Sequence, residues 1–187
     1  HYQLCGVRHV HVCVQTEQDA RIVEESALPD GLNVQVHRLD AALNPSAALQ
    51  TFPLNLISSD APFTLMVDCD EYVQFQNPGF TPTRLAEMFP YAGQFYLPWV
   101  MAPRLDDSSV GGFWGHVGKP LARSERMAAI ASDHAFRLRD AEKADEGSLP
   151  VGAYGAVIHH YWARSFRDCL LKTFFNRFDD AKSLDKD

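Results

Sequence analysis

The first 67 residues switch repeatedly between two hydrophobic periods, and this constrains the fold more than any other feature of the chain. Val10, Val12 and Val14 alternate with His9, His11 and Cys13, the period of two that a half-buried strand requires. Thr16-Glu17-Gln18-Asp19 then has the spacing of a helix start, where a hydroxyl and an acid three residues apart cap free backbone N–H groups. Ile22 and Val23 supply that helix with an apolar face, and Pro29-Asp30-Gly31 ends it as a turn. Leu32, Val34 and Val36 read as a second strand, and Asn44-Pro45-Ser46 opens a helical stretch through Ala47, Ala48, Leu49 and Phe52 that Pro53 stops. Phe63-Thr64-Leu65-Met66-Val67 is a continuous apolar run, as expected of a strand buried on both faces. The order strand, helix, strand, helix, strand predicts a single α/β domain over 1–187, a parallel or mixed sheet flanked by helices.

The second half carries a different pattern. Thr81-Pro82-Thr83 caps a short helix with Leu85, Met88 and Phe89 inward, closed by Pro90. Gln94 to Val100 reads as an aromatic-rich strand, and 104–120 as a long polar, glycine-containing loop of the kind that forms lids or binding loops. Residues 139–149 read as a charged loop. Ala156-Val157-Ile158 makes a last short strand that runs into His159-His160-Tyr161, and a final helix is expected from Ser165, with Phe166, Cys169, Leu170, Thr173 and Phe174 on one stripe. The chain opens at His1-Tyr2-Gln3-Leu4, already inside an apolar pattern, so a preceding strand is expected to be missing.

Composition narrows the function classes. The net charge of −7 argues against a sequence-blind grip on nucleic acid backbone, and favours a bridging cation for an anionic ligand. No apolar run reaches the roughly 18 residues of a membrane-spanning helix. The four cysteines form no C-x-x-C pair, which fits reduced thiols better than a zinc knuckle or a redox site. A cytoplasmic protein, at most peripheral to the inner face of a membrane, is the expectation.

The chemistry concentrates in Leu65-Met66-Val67-Asp68-Cys69-Asp70-Glu71-Tyr72, where an apolar run leads into three acids within four positions. Two acids one residue apart at a strand's end can face one cation, and open α/β sheets bind ligands at those ends. Hard divalent ions such as Mg²⁺ or Mn²⁺ suit carboxylates together with phosphate oxygens. Asp68 and Asp70 are therefore candidate metal ligands, with His160 as a third, since a neutral imidazole also serves such ions. His9 and His11 share a strand face, but a polar face explains them more simply than a second metal site.

These residues also carry a resemblance. Asp68-x-Asp70-Glu71-Tyr72, followed far along the chain by His160-Tyr161, Arg164-Ser165 and Lys172, resembles the family 2-type glycosyltransferases, and within them a bacterial group with the pattern D-x-D-E-F/Y … H-Y … S … K. The opening, Tyr2 to Gly6-Val7 and on to Asp19, is similar to that group's first segment, although its S-x-D loop is here Gln15-Thr16-Glu17-Gln18-Asp19, with only Asp19 retained. The resemblance spans roughly residues 1 to 180. It implies a GT-A-like, Rossmann-like fold lacking its first strand, a UDP- or GDP-sugar donor, a glycan or lipid-linked acceptor, and Mn²⁺ or Mg²⁺ between protein and diphosphate. By position it implies Asp70 as principal metal ligand, Asp68 near the metal or the donor ribose, and His160 as the late ligand. Asp19, Lys119, Arg123 and His134 are implied on the donor side, the basic groups balancing diphosphate charge.

Transfer with inversion requires a base for the acceptor hydroxyl that is not itself holding the metal. Asp106, Asp107 and Asp133 are the candidates, with Asp107 preferred. Trp99 is a candidate sugar-stacking residue, though it reads equally as core, and Trp114, among glycines, is a candidate lid residue over the acceptor. Trp162 and Phe174-Phe175 read as core. Two other readings start from the same residues: a domain that binds a nucleotide sugar or glycan without turnover, and a haloacid-dehalogenase-like phosphatase. The latter places its D-x-D at the first strand and prefers Thr or Val where this chain has Tyr72.

Overall fold

A computed structural model of the chain describes residues 6–28, 30–57, 61–76, 79–101, 112–141 and 148–161. β1 (His9–Val14) and β2 (Asn33–Arg38) pair in parallel, His9 opposite Asn33 and Val14 opposite Arg38. The helix between them, α1 (Glu17–Glu24), begins where the sequence predicts. Thr16 Oγ1 accepts from the Asp19 backbone N–H at 3.1 Å and donates to Asp19 Oδ2 at 2.6 Å. α2 (Pro45–Gln50) is capped by Asn44, whose side chain accepts from Ala47 N at 2.9 Å, and it ends short of Pro53.

The larger sheet assembles from the later strands: β3 (Phe63–Leu65), β4 (Glu71–Phe75), β5 (Gln94–Met101), β6 (Gly112–Arg123), β9 (Ser148–Pro150) and β10 (Ala156–His160). Among the described residues the order is β3-β6-β5-β10-β4, and β9 also pairs with β5. β9 and β10 run parallel to β5, along its first and last residues respectively; β6 is antiparallel to it on the other edge, and β4 is antiparallel to β10. The fold is thus α/β with a mixed sheet. α3 (Pro82–Met88), capped by Thr81, buries Leu85 against this sheet, in a core with Val73, Phe95, Leu97, Leu121, Val151 and Ile158. A hairpin of β7 (Met127–Ser132) and β8 (Ala135–Leu138) closes a second core, in which Met127, Ile130 and Phe136 meet Phe52 after α2, with Cys13 of β1 and Met66 packed against them.

Four expectations are corrected. The apolar run at 63–67 does not form a strand buried on both faces: only Phe63–Leu65 is strand, among the described residues it pairs with β6 alone, and its side chains are half-buried. Asp68 and Asp70 therefore sit in the turn between β3 and β4 instead of on the tip of β3, and Glu71 begins β4. Residues 112–120, expected in a loop, continue as β6, because cross-strand pairing to β5 outweighs the low strand propensity of their glycines. Gly118 is required there, since a Cβ would lie 2.1 Å from the Leu97 carbonyl oxygen. Met88, expected inward on α3, is exposed because α3 buries Leu85 and Ala86 instead. The register of β5 against β6 shifts between Pro98 and Trp99, where the proline cannot donate to the ladder, and this re-aims Trp99.

Candidate functional site

The D-x-D-E turn is closed by its own atoms. Glu71 N donates to Asp68 O at 3.1 Å, and the Glu71 side chain folds back so that Oε2 accepts from Asp68 N at 2.8 Å. Antiparallel pairing sets Glu71 opposite His160, and Tyr161 N donates to Asp70 O at 2.9 Å. The tyrosines that follow each motif, Tyr72 and Tyr161, meet edge to face at 5.4 Å. Two segments nearly 90 residues apart are thereby stitched together, and Asp70 Oδ1 comes to 3.7 Å from His160 Nε2, both side chains largely buried.

Lys119 reaches the turn from β6. Its side chain has no exposed surface, and Nζ donates to Asp68 Oδ2 and to Asp133 O, each at 2.9 Å, with Glu71 Oε2 at 3.7 Å. A buried ammonium is tolerated only with such partners. Burial pushes the Glu71 carboxyl above the usual range, an effect opposed by Lys119, the Asp68 amide and His160, and reinforced by the Asp68 charge. Trp99 adjoins the group: its ring lies 4.3 Å from that of His160 and 5.4 Å from that of His134. His134 Nδ1 is 2.8 Å from Gly118 O, and because a carbonyl only accepts, Nδ1 carries the hydrogen. Nε2 of the same ring faces Asp133 Oδ2 at 3.3 Å, and Asp133 Oδ1 accepts from Ser46 Oγ at 3.2 Å.

The expected residues therefore divide. Asp68, Asp70, Lys119, His134, His160 and Trp99 gather in one region, joined by Asp133. Asp68, expected on the metal or the donor ribose, is ion-paired to Lys119 on one side and remains 56% exposed, whereas Lys119, expected to face a diphosphate, is sealed beneath the acids, because an ammonium without water needs their charge. Asp19 is occupied in capping α1. Arg123, expected on the donor side, turns its guanidinium to Ala92 O at 3.0 Å and Ala86 O at 2.9 Å, a structural tie to the end of α3. Asp106, Asp107, Trp162, Arg164, Ser165, Lys172 and Phe174 lie outside the described residues, as does the side chain of Trp114, whose backbone pairs with Trp99. Sequence reasoning gave Glu71 no role of its own. The signal was there in the alternation of Glu71 and Val73, buried, with Tyr72 and Gln74.

Asp70 and His160 form a mixed oxygen and nitrogen donor pair. A separation of 3.7 Å can be spanned by one ion with bonds of about 2.1 Å. No group of three or more His, Cys, Asp or Glu gathers around a common point among the described residues. Mg²⁺-type sites are built in this way, from one or two carboxylates completed by substrate phosphate. His160 Nδ1 and Trp99 Nε1 are buried with no hydrogen-bond partner among the described residues.

No protein-family model matches the chain, and no curated protein matches it. Among the described residues no helix is long and apolar enough to cross a membrane.

Proposed function

We propose that the chain is the catalytic domain of a nucleotide-sugar-dependent glycosyltransferase of the GT-A kind, which moves a sugar from a UDP- or GDP-sugar to a hydroxyl of a glycan or lipid-linked acceptor with inversion. The observation that carries this reading is the meeting of Asp70 and His160, the two residues that the resemblance assigns to one metal. The parallel β1–α1–β2 unit and the mixed sheet beyond it are compatible with such a fold.

In this reading Asp70 and His160 hold Mn²⁺ or Mg²⁺, which supplies charge neutralisation for the departing diphosphate. Asp68 takes the donor ribose side, and its 2.9 Å contact with Lys119 fixes the carboxylate in place. The acceptor oxygen forms a bond to the anomeric carbon as the bond from that carbon to the diphosphate oxygen breaks, and the nucleoside diphosphate leaves with the electron pair.

The competing reading, binding without turnover, draws support from the ion pair of Lys119 with Asp68, which commits one acid of the D-x-D to a buried cation. One experiment separates them. The purified chain is incubated with Mn²⁺ and a panel of nucleotide sugars, and thermal stabilisation and nucleoside diphosphate release are both followed. The transferase reading predicts a rise in melting temperature for one donor that requires the metal, with slow release of its diphosphate. Stabilisation without release selects the binding domain, and no metal-dependent stabilisation by any donor overturns both.

A further inference from the structure

The third acid of the D-x-D-E run behaves unlike the other two. Asp68 presents its side chain to solvent and Asp70 keeps a small exposed edge, whereas the Glu71 side chain has no exposed surface. A carboxylate so sealed presents no face to an ion arriving from solvent. Its Oε2 instead accepts from the Asp68 N–H at 2.8 Å, with Lys119 Nζ 3.7 Å away.

That bond closes the turn a second time. Glu71 N donates to Asp68 O at 3.1 Å, which makes 68–71 a hydrogen-bonded turn with Cys69 and Asp70 as its central residues. The Glu71 carboxylate returns to Asp68 N, so the two end residues are joined in both directions. Glu71 is itself anchored outside the turn, since it opens β4 and lies opposite His160 in the ladder. Asp70 O accepts from Tyr161 N at 2.9 Å, one residue past His160. Pinned at both ends and at its own carbonyl, Asp70 has few ways to point, and its Oδ1 comes to 3.7 Å from His160 Nε2. A ligand ordered before the ion arrives binds it more tightly, because no further freedom is lost on binding.

We propose that Glu71 is the positioning residue of the cation site: its carboxylate, bonded to the Asp68 amide, holds the D-x-D turn in the conformation that sets Asp70 beside His160, and it does not ligate the ion itself. This role rests on the transferase reading, in which Asp70 and His160 hold the ion. The position requires reach and an acceptor oxygen more than it requires charge. Lys119 keeps Asp68 Oδ2 and the Asp133 carbonyl, each at 2.9 Å, whether Glu or Gln stands at 71. A side chain one methylene shorter falls short of the Asp68 N–H.

Two variants separate reach from charge. Glu71→Gln keeps an acceptor oxygen at the same reach without the charge, and Glu71→Asp keeps the charge without the reach. Exchange of the Asp68 amide hydrogen is followed by NMR without metal, and Mn²⁺ affinity by electron paramagnetic resonance. In Glu71→Asp the Asp68 amide is expected to exchange about tenfold faster than in wild type, and Mn²⁺ affinity to fall by about 10–100-fold, the usual loss when a group that orients a metal ligand is removed. In Glu71→Gln both are expected to stay within about threefold of wild type. Affinity kept by Glu71→Asp and lost by Glu71→Gln makes Glu71 a ligand or a charge partner and overturns the proposal. Equal affinities, equal losses, or a loss in Glu71→Asp without faster exchange at Asp68 overturn it too. Should Glu71→Asp not fold, Glu71→Gln decides alone, and lost affinity in that variant overturns the proposal. Wild type that binds no Mn²⁺ overturns the Asp70–His160 reading together with the role of Glu71, whereas wild type that binds it alongside an unaffected Glu71→Asp overturns the role of Glu71 alone.

Discussion

An ammonium without exposed surface needs an oxygen for each N–H, and Lys119 Nζ has Asp68, Glu71 and the Asp133 carbonyl around it. Two of these partners are acids of the D-x-D-E turn, so the lysine decides how much of that turn's charge faces outward. Replacing it with methionine removes the cation beside Glu71, a fully buried acid, and loss of one partner from such a group costs about 3–5 kcal/mol. Chemical denaturation of Lys119→Met should show a loss of this size, and Lys119→Met combined with Glu71→Gln should recover a substantial part of it. A double variant no more stable than the single would contradict the buried ion pair. The acids themselves were legible in the sequence, because three carboxylates after an apolar run are rare. Their pairing with Lys119 was not: it depends on β6 continuing through a stretch whose glycines and polar residues read as loop, and pairing of that kind is set by strands far away in the chain.

At the scale of elements, starts and stops were the most legible features, since caps are local chemistry. Thr16, Asn44 and Thr81 each cap the helix that the sequence assigned to them. The strands β4, β7, β8 and β9 were missed because they are short and their burial comes from partners, not from a strong period of their own. Arg123 shows the same limit. Its position after Lys119 suggests a ligand, yet its guanidinium binds carbonyls at Ala86 and Ala92. Arg123→Ala should therefore cost about 1.5–3 kcal/mol in a denaturation experiment, the range for hydrogen bonds to a charged group, and leave nucleotide-sugar affinity unchanged. Lost affinity in a variant of unaltered stability would return Arg123 to the donor side.

The β1–β2 pair carries a second elemental prediction. His11 Nδ1 lies 2.9 Å from His37 Nε2, an arrangement that needs a hydrogen on one nitrogen and a lone pair on the other, and both rings pack on Phe52. Burial first, then His37 and His9, hold the His11 imidazolium below its ordinary pKa of 6.5. A lowered folded value means that the pair's contribution to stability is complete above pH 6.5 and is lost as pH falls toward and through that lowered value. Melting temperatures measured downward from pH 7 should drop across this window, and His11→Gln should flatten the drop. An equal slope in the variant would contradict the assignment. Cys13, on the same strand face, takes no part in this window, since burial pushes its thiol up to about 11.

At the scale of the molecule, two cores share β6: Leu121 packs into the cluster under the larger sheet, and Ala122 into the cluster with Phe52 and the β7–β8 hairpin. Lys119, two residues before Leu121, and Gly118 bring the D-x-D-E turn and the Asp133–His134 turn into contact along this one strand. The α/β class was legible from the alternation of periods in the first third of the chain. The mixed sheet order was not, because β4, β5, β6 and β10 find one another across loops whose lengths carry no directional signal. The account's central claim is that Asp70 and His160 together grip a divalent ion that anchors a nucleoside diphosphate, and Mn²⁺ titration followed by electron paramagnetic resonance tests it most directly. Run with and without UDP and GDP, it should give one tight Mn²⁺ in wild type that a nucleotide strengthens, a loss of at least tenfold in affinity for His160→Ala, and no tight site in Asp70→Ala. Mn²⁺ bound equally by wild type and Asp70→Ala, with the nucleotide present, would contradict it.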